Sequence, residues 1–241
     1  MATEAPKHDE DFSQPVLPGP GGSDYERYLR TDDLLRLQKT ADEWVHRDEL
    51  LFQTVHQSSE LWLTLVWNEV EEATRLLEDG DIPPALRLLK RANEGMQVVV
   101  GLLDQLRHLD PWEYQVVRRV LGHGSGFDSP GWRELRRVAP RLGQAFHNLR
   151  RAAGLSIIEL YQQARQHEEL YQVAEAVIEL DERVSVWRYR HFKVISRVIG
   201  EGVVGTQGTP VELLAGLIKQ KLFPELWDAR NELTALAKLE E

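Results

Sequence analysis

The sequence predicts an all-α protein, a bundle of long helices, and three observations carry that expectation. From Tyr25 almost to the last residue, apolar positions recur at three- and four-residue spacing. No two alternating segments joined by a hairpin turn interrupt this pattern, and there is no internal repeat. Two glycine-rich stretches, LGHGSGFDSPGW and EGVVGTQGTP, separate the later periodic segments.

Taken in order, residues 1–24 hold four of the eleven prolines and a GPGG turn, and read as a disordered arm ahead of a single helical domain over residues 25–241. YERYLRTDDLLRLQ is a short helical segment, followed by a long helix from about 47 to 78. DIPPALRLLKRANEGMQVVVGLLDQL opens on prolines, which the first turn of a helix tolerates, and continues as a helix. Asp110-Pro111 starts the next helix, which stops at Leu121-Gly122. LGHGSGFDSPGW (121–132) reads as a glycine-rich loop. Helices return over 132–198 with a break near Ala152–Ser156, EGVVGTQGTP (201–210) is a second loop, and VELLAGLIKQ and PELWDARNELTALAKLEE close the chain as helices.

Composition narrows the function. A net charge of −10 and a pI near 5.4 argue against nucleic acid, whose binding surfaces are basic. The chain has no cysteine, which removes disulfides, iron–sulfur clusters, thiolate-ligated or covalently attached haem and thiolate zinc. No apolar run has the length of a membrane span, and MATEAPKHDEDFSQ is acidic where a secretory signal would be basic and then apolar. The expectation is a soluble, cytoplasmic protein.

Two histidines stand out. In VWRYRHFKVISRVIG (186–200), Trp187, His191, Val194, Ile195 and Val198 share one helical stripe, while Arg188, Arg190, Lys193 and Arg197 lie mostly off it. In LFQTVHQSSELWLTLVW, Phe52, Val55, His56, Ser59, Leu63, Val66 and Trp67 share a face. A lone histidine on an apolar stripe is usually a buried residue satisfied by a nearby acceptor. Two of them, on two long helices, suggest a metal or haem site as much as packing. A di-iron centre needs an acid-x-x-His motif on two helices, and only Glu43-Trp-Val-His46 has that spacing. His108-Leu-Asp110 could begin a two-histidine, one-carboxylate iron site, but Asp110 is better placed to cap the next helix. Haem, which asks for an apolar slot and one axial imidazole, fits better. His123 lies in the glycine-rich loop near Ser125, where it could approach a haem edge.

These residues also carry a resemblance. FQTVHQSSELW, DPWEYQVVRRVLGHGSGFDSP, WRYRHFKVISRVIG, the GTQG loop and LFPELWDARNEL resemble, in order, successive blocks of the tryptophan 2,3-dioxygenase family, and YERYLRTDDLLRLQ resembles its N-terminal block. The resemblance implies a helical bundle with b-type haem held non-covalently between long helices, O₂ as co-substrate, and attack on the indole C2–C3 bond of L-tryptophan. It makes His191 the proximal iron ligand and His56 the distal residue that meets the indole N–H. Phe52 becomes a pocket wall, and Tyr114 and Arg118 line the substrate site, with Arg118 on the carboxylate. Ser125 lies over the haem, and Thr206 contacts the zwitterionic end of the substrate. Tyr25, Tyr28 and Leu29 match residues that reach into a neighbouring subunit's pocket, which implies a homotetramer whose sites are completed by the N-terminal segment.

The chain also departs from the family pattern. Asp128 replaces a glutamine, Pro130-Gly131 breaks the segment after it, and Ser58 and Ser59 stand where an aromatic residue is common. The stretch between Phe146 and Trp187 is short, and the 201–210 loop has an extra residue before its Gly-Thr pair. These changes raise three further expectations: a modified (for example methylated) tryptophan as substrate in secondary metabolism, a 2-oxindole-forming monooxygenase as the alternative to a dioxygenase, and, as a second alternative, a haem-free helical interaction protein that has kept the fold.

Overall fold

A computed structural model of the chain describes residues 13–238, so residues 1–12 of the expected arm, and with them His8, lie outside the described residues. Two compact units divide after Trp44.

In the first unit, residues 13–23 turn back on helix α1 (Asp24–Leu29). The Asp24 carboxylate accepts from the backbone N–H of Val16 (3.1 Å) and Leu17 (2.7 Å), and the Arg27 guanidinium donates to the Gly21 carbonyl at 3.0 Å. Ser23 and Glu26 cap α1 reciprocally, a capping box that satisfies two otherwise orphaned donors. The single segment expected here is in fact two short helices. Arg30, at φ 52°, is left-handed and interrupts the hydrogen-bond ladder between α1 and α2 (Thr31–Leu34).

The second unit is built on four long helices: α3 (Asp48–Glu78), α4 (Ile82–Leu106), α6 (Pro130–Ala152) and α8 (Glu168–Val198), with α5 (Tyr114–Val120), α7 (Ile157–Gln162), α9 (Glu212–Leu217) and α10 (Pro224–Ala237) between and after them. Helix α3 packs on α4 and α6, and α8 closes the ring by packing on both of those. Their apolar stripes meet in one core, in which Leu63, Leu77, Met96, Leu142, Phe146 and Leu180 are completely buried. Burial of such a side chain contributes about 1.5–3 kcal/mol. Phe223 and Leu226, at the start of α10, belong to the same core. There the buried Asp181 carboxylate of α8 accepts from the backbone N–H of Leu222 (2.8 Å) and Phe223 (3.0 Å) and from Trp227 Nε1 (3.0 Å).

Element boundaries differ from the sequence reading where capping decides them. Asp110 accepts from the N–H groups of Trp112 and Glu113, and regular helix starts only at Tyr114. The glycine-rich loop ends at Ser129, not at residue 132. Ser129 caps α6, Pro130 takes the first helical position, and Pro130-Gly131 therefore opens the helix instead of breaking it. Gly131 lets α6 approach α3 closely: a Cβ there would lie 2.5 Å from that of Leu63. The Glu60 carboxylate seals the junction by accepting from Ser129 Oγ (2.5 Å) and Gly131 N (2.9 Å), an anion at a helix N-terminus. A second break, at residues 163–167, separates α7 from α8, and α9 is only six residues long. Among the described residues the only β-pairing is an isolated bridge between Val204 and Pro210, and no helix is long and apolar enough to cross a membrane.

Candidate active site

Toward the start of α3 and the end of α8, the stripes of these two helices change character. The aliphatic packing thins to a smaller cluster around Val55, Leu103, Leu106, Leu109, Val194 and Val198, and a cavity of about 420 Å³ opens beside it. Helix α3 brings Phe52 and His56 to its wall, α5 brings Tyr114 and Arg118, and the 121–129 loop brings Ser125. Helix α8 adds His191, and the 201–210 loop adds Thr206. Seven of the expected site residues thus line one cavity. Tyr25, Tyr28 and Leu29 belong to the first unit, where they are 69%, 78% and 47% exposed.

The two imidazoles differ. His191 stacks on Trp187 one turn earlier, with ring centroids 4.7 Å apart and planes 11° from parallel, and Trp132 packs on Trp187 at 4.3 Å. Ring packing therefore orients His191, which has no hydrogen-bond partner among the described residues. Burial, with a smaller contribution from the nearby His56, pushes its pKa down to about 4. It is neutral at pH 7, with a nitrogen lone pair available as a ligand.

His56 lies on the inward side beside Phe52, but it faces the cavity, where it stays accessible, rather than packed side chains. Its Nδ1 lies 2.7 Å from the Phe52 carbonyl oxygen, which can only accept, so Nδ1 carries the hydrogen and Nε2 the lone pair. Desolvation by the surrounding protein lowers its pKa, against the Phe52 hydrogen bond and the charge of Glu60. The Phe52 ring sits 4.0 Å from that of His56 and 5.9 Å from that of Tyr114. Burial raises the Tyr114 hydroxyl pKa, with Arg118 opposing.

Two loops meet over this wall. Arg118 donates to the Val204 carbonyl, Thr206 Oγ1 donates to the Gly124 carbonyl, and Gln207 Nε2 donates to Asp128 Oδ2 at 2.6 Å. Asp128, the residue that departs from the family's glutamine, also accepts from the Ser125 N–H at 3.2 Å. Thr209 lines the cavity together with Thr206. Ser58 and Ser59 do not: Ser59 Oγ bonds its own helix at the Val55 carbonyl, so the bulk lost there does not enlarge the cavity. His123 is exposed and stands outside the lining.

The sequence reading passed over Trp132, Arg136, Arg188 and Gln207. Arg188 was set off the apolar stripe, yet it is one helical turn from His191 and lines the cavity. Its three-residue spacing from His191 was the available signal.

Comparison with known proteins gives a consistent result. The family model for tryptophan 2,3-dioxygenase matches residues 10–147 and 141–233. Proteins named tryptophan 2,3-dioxygenase are similar along most of their length. The one from Caulobacter vibrioides is 32% identical over 87% of this chain and 98% of its own. Those from Myxococcus xanthus and Bacillus thuringiensis subsp. konkukian are each 30% identical, over 89% and 87% of this chain and 91% and 92% of theirs.

Proposed function

The chain belongs to the tryptophan 2,3-dioxygenase family, and on that premise we propose that it is a haem-dependent oxygenase that uses O₂ to oxidise the indole ring of L-tryptophan. The observation that carries this reading is the cavity's donor set: one neutral imidazole and a second imidazole with its Nε2 lone pair, neither nitrogen hydrogen-bonded among the described residues, and a guanidinium, set among apolar walls. That set fits haem. Porphyrin asks for an apolar slot and a neutral axial nitrogen, and a chain without cysteine offers no thioether attachment, so the haem would be held non-covalently, and haem b is the form proposed.

In this reading His191 would hold the iron, and its stacking on Trp187 fixes the orientation of the ring. When bound, haem supplies the activation of O₂, which no side chain here can provide. The chain's own residues bind and orient the substrate. Arg118 receives the amino-acid carboxylate, for which a planar guanidinium is suited, and the Thr206 hydroxyl meets the zwitterionic end beside it. The Phe52 and Tyr114 rings hold the indole by its face. His56, protonated at Nδ1, accepts the indole N–H through Nε2. Ser125 and the 201–210 loop, tied together through Gly124 and Asp128, shield the site from water. Positioning of this kind is worth roughly 7–11 kcal/mol in the best-oriented systems. Tyr25, Tyr28 and Leu29, exposed on their own unit, complete a neighbouring copy's site in a homotetramer, and a cytoplasmic location goes with that reading.

One experiment tests both the activity and its outcome. Protein reconstituted with haem is turned over with L-tryptophan under ¹⁸O₂ and the product is weighed. Two labelled atoms in ring-opened N-formylkynurenine is the expected result. A single labelled atom would assign the 2-oxindole chemistry instead, and preference for methylated tryptophan in competition would assign a modified substrate. The Soret band is expected to disappear in His191→Ala. A colourless wild-type protein that takes up no haem would overturn the reading and leave a haem-free interaction protein.

A further inference from the structure

The cavity holds a second cationic cluster that substrate recognition by Arg118 does not use. Arg188, one turn before His191 on α8, and Arg136, on α6, both line the wall. Arg188 reaches the Gln220 carbonyl at 2.5 Å, whereas Arg118 reaches that of Val204, so different elements hold the two clusters. Arg136 has no hydrogen-bond or ion-pair partner among the described residues, and its charge acts against that of Arg188. Burial lowers the Arg188 pKa, and Arg136 lowers it further. The opposing charge is Asp181, whose Oδ2 already takes three N–H donors from the α10 junction. Two guanidiniums and one carboxylate leave an excess positive charge at the edge of an apolar cavity.

We propose that Arg136 and Arg188 form a carboxylate-binding site within the cavity, separate from that of Arg118. Two guanidiniums at one cavity wall offer a carboxylate planar N–H donors as well as charge. Bringing two like charges together without an anion is unfavourable, modestly so where one of them is solvated as Arg136 is, and a bound carboxylate relieves that repulsion. Two sources share this chemistry. One is a propionate arm of haem, which rests on the functional reading above; the other is a free carboxylate ligand.

Haem, its dimethyl ester and acetate separate these sources, with Arg136→Gln as the variant. Arg136 is exposed and unpartnered among the described residues, so its replacement should not disturb folding. Haem transfer to apomyoglobin is followed for wild type and variant, and thermal melting is followed in acetate and in chloride at equal ionic strength. If the ligand is a propionate, the variant loses haem roughly tenfold faster, the scale of one charge-assisted hydrogen bond, while the dimethyl ester leaves both proteins at the same rate. If it is a free carboxylate, haem transfer is unchanged, and acetate raises the Tm of wild type but not of the variant. Arg188→Lys, which keeps the charge but loses the fork, should fall between wild type and Arg136→Gln in whichever assay responds. Equal haem loss together with equal acetate response would overturn the site. Should wild type take up no haem, the oxygenase reading fails, and the acetate comparison still decides the arginine pair.

Discussion

The two halves of α8 carry the same helical stripe and do opposite work. Over residues 168–184 the stripe is Val173, Ala174, Val177 and Leu180, all completely buried in the core, with Val184 at the border of the cavity. Over 187–198 it becomes Trp187, His191, Val194, Ile195 and Val198, and borders a cavity. Helix α3 shows the same division in reverse chain order, with Phe52 and His56 at the cavity and Leu63 to Leu77 in the core. Close packing makes the first region rigid, and that rigidity holds the rings of the second in place.

The largest expected effect contrasts a phenylalanine from each half. Phe146→Ala, in the completely buried core, should cost roughly 3–5 kcal/mol in urea denaturation, because a hole opens where nothing can collapse into it. Phe52→Ala, half-buried at an existing cavity, should cost about 1–2 kcal/mol. Equal losses would show that the cavity end is packed as tightly as the core. Next comes Gly131→Ala, at the junction between the halves, where the added Cβ meets Leu63 at 2.5 Å and Glu60 Oε2 at 2.9 Å. The overpacking should cost about 1–3 kcal/mol, and an unchanged urea midpoint would mean that α6 can slide on α3.

The smallest effect tests a polar clasp at the core end. Tyr161 donates to Glu175 at 2.8 Å and accepts from Arg230 at 3.0 Å, and its ring meets Tyr171 edge-on. Burial, then the Glu175 hydrogen bond, push its pKa up to about 12, while Arg230 opposes. A raised phenol pKa favours the protonated side chain in the folded state. Its stabilisation is therefore complete below pH 10 and lost as pH climbs from about 10 to about 12. Wild type should lose urea resistance over that window more steeply than Tyr161→Phe, and parallel pH profiles would remove Tyr161 from the clasp.

Much of this was legible in the sequence, for reasons that particular residues show. Periodicity alone puts His191 with Trp187 and Val194, and Phe52 with His56, because residues three and four apart share a helix face whatever the fold. Capping was half legible. Asp110 reads as a helix-starting residue, but Ser129-Pro130 reads as loop, since Gly131 looks like a breaker until its contact with Leu63 is known. The His56 environment was not legible, because a shared stripe does not say whether it faces packed side chains or a cavity.

The sequence by itself determined the helices, their apolar stripes, the absence of thiol chemistry and the family, all of which depend on local spacing and residue type. Only the tertiary structure decided where the core ends and the cavity begins, that His56 offers Nε2, and that Arg118, Arg136 and Arg188, from three different helices, line one space. Those facts depend on which distant segments meet, and the long-range packing of the bundle settles that at close range.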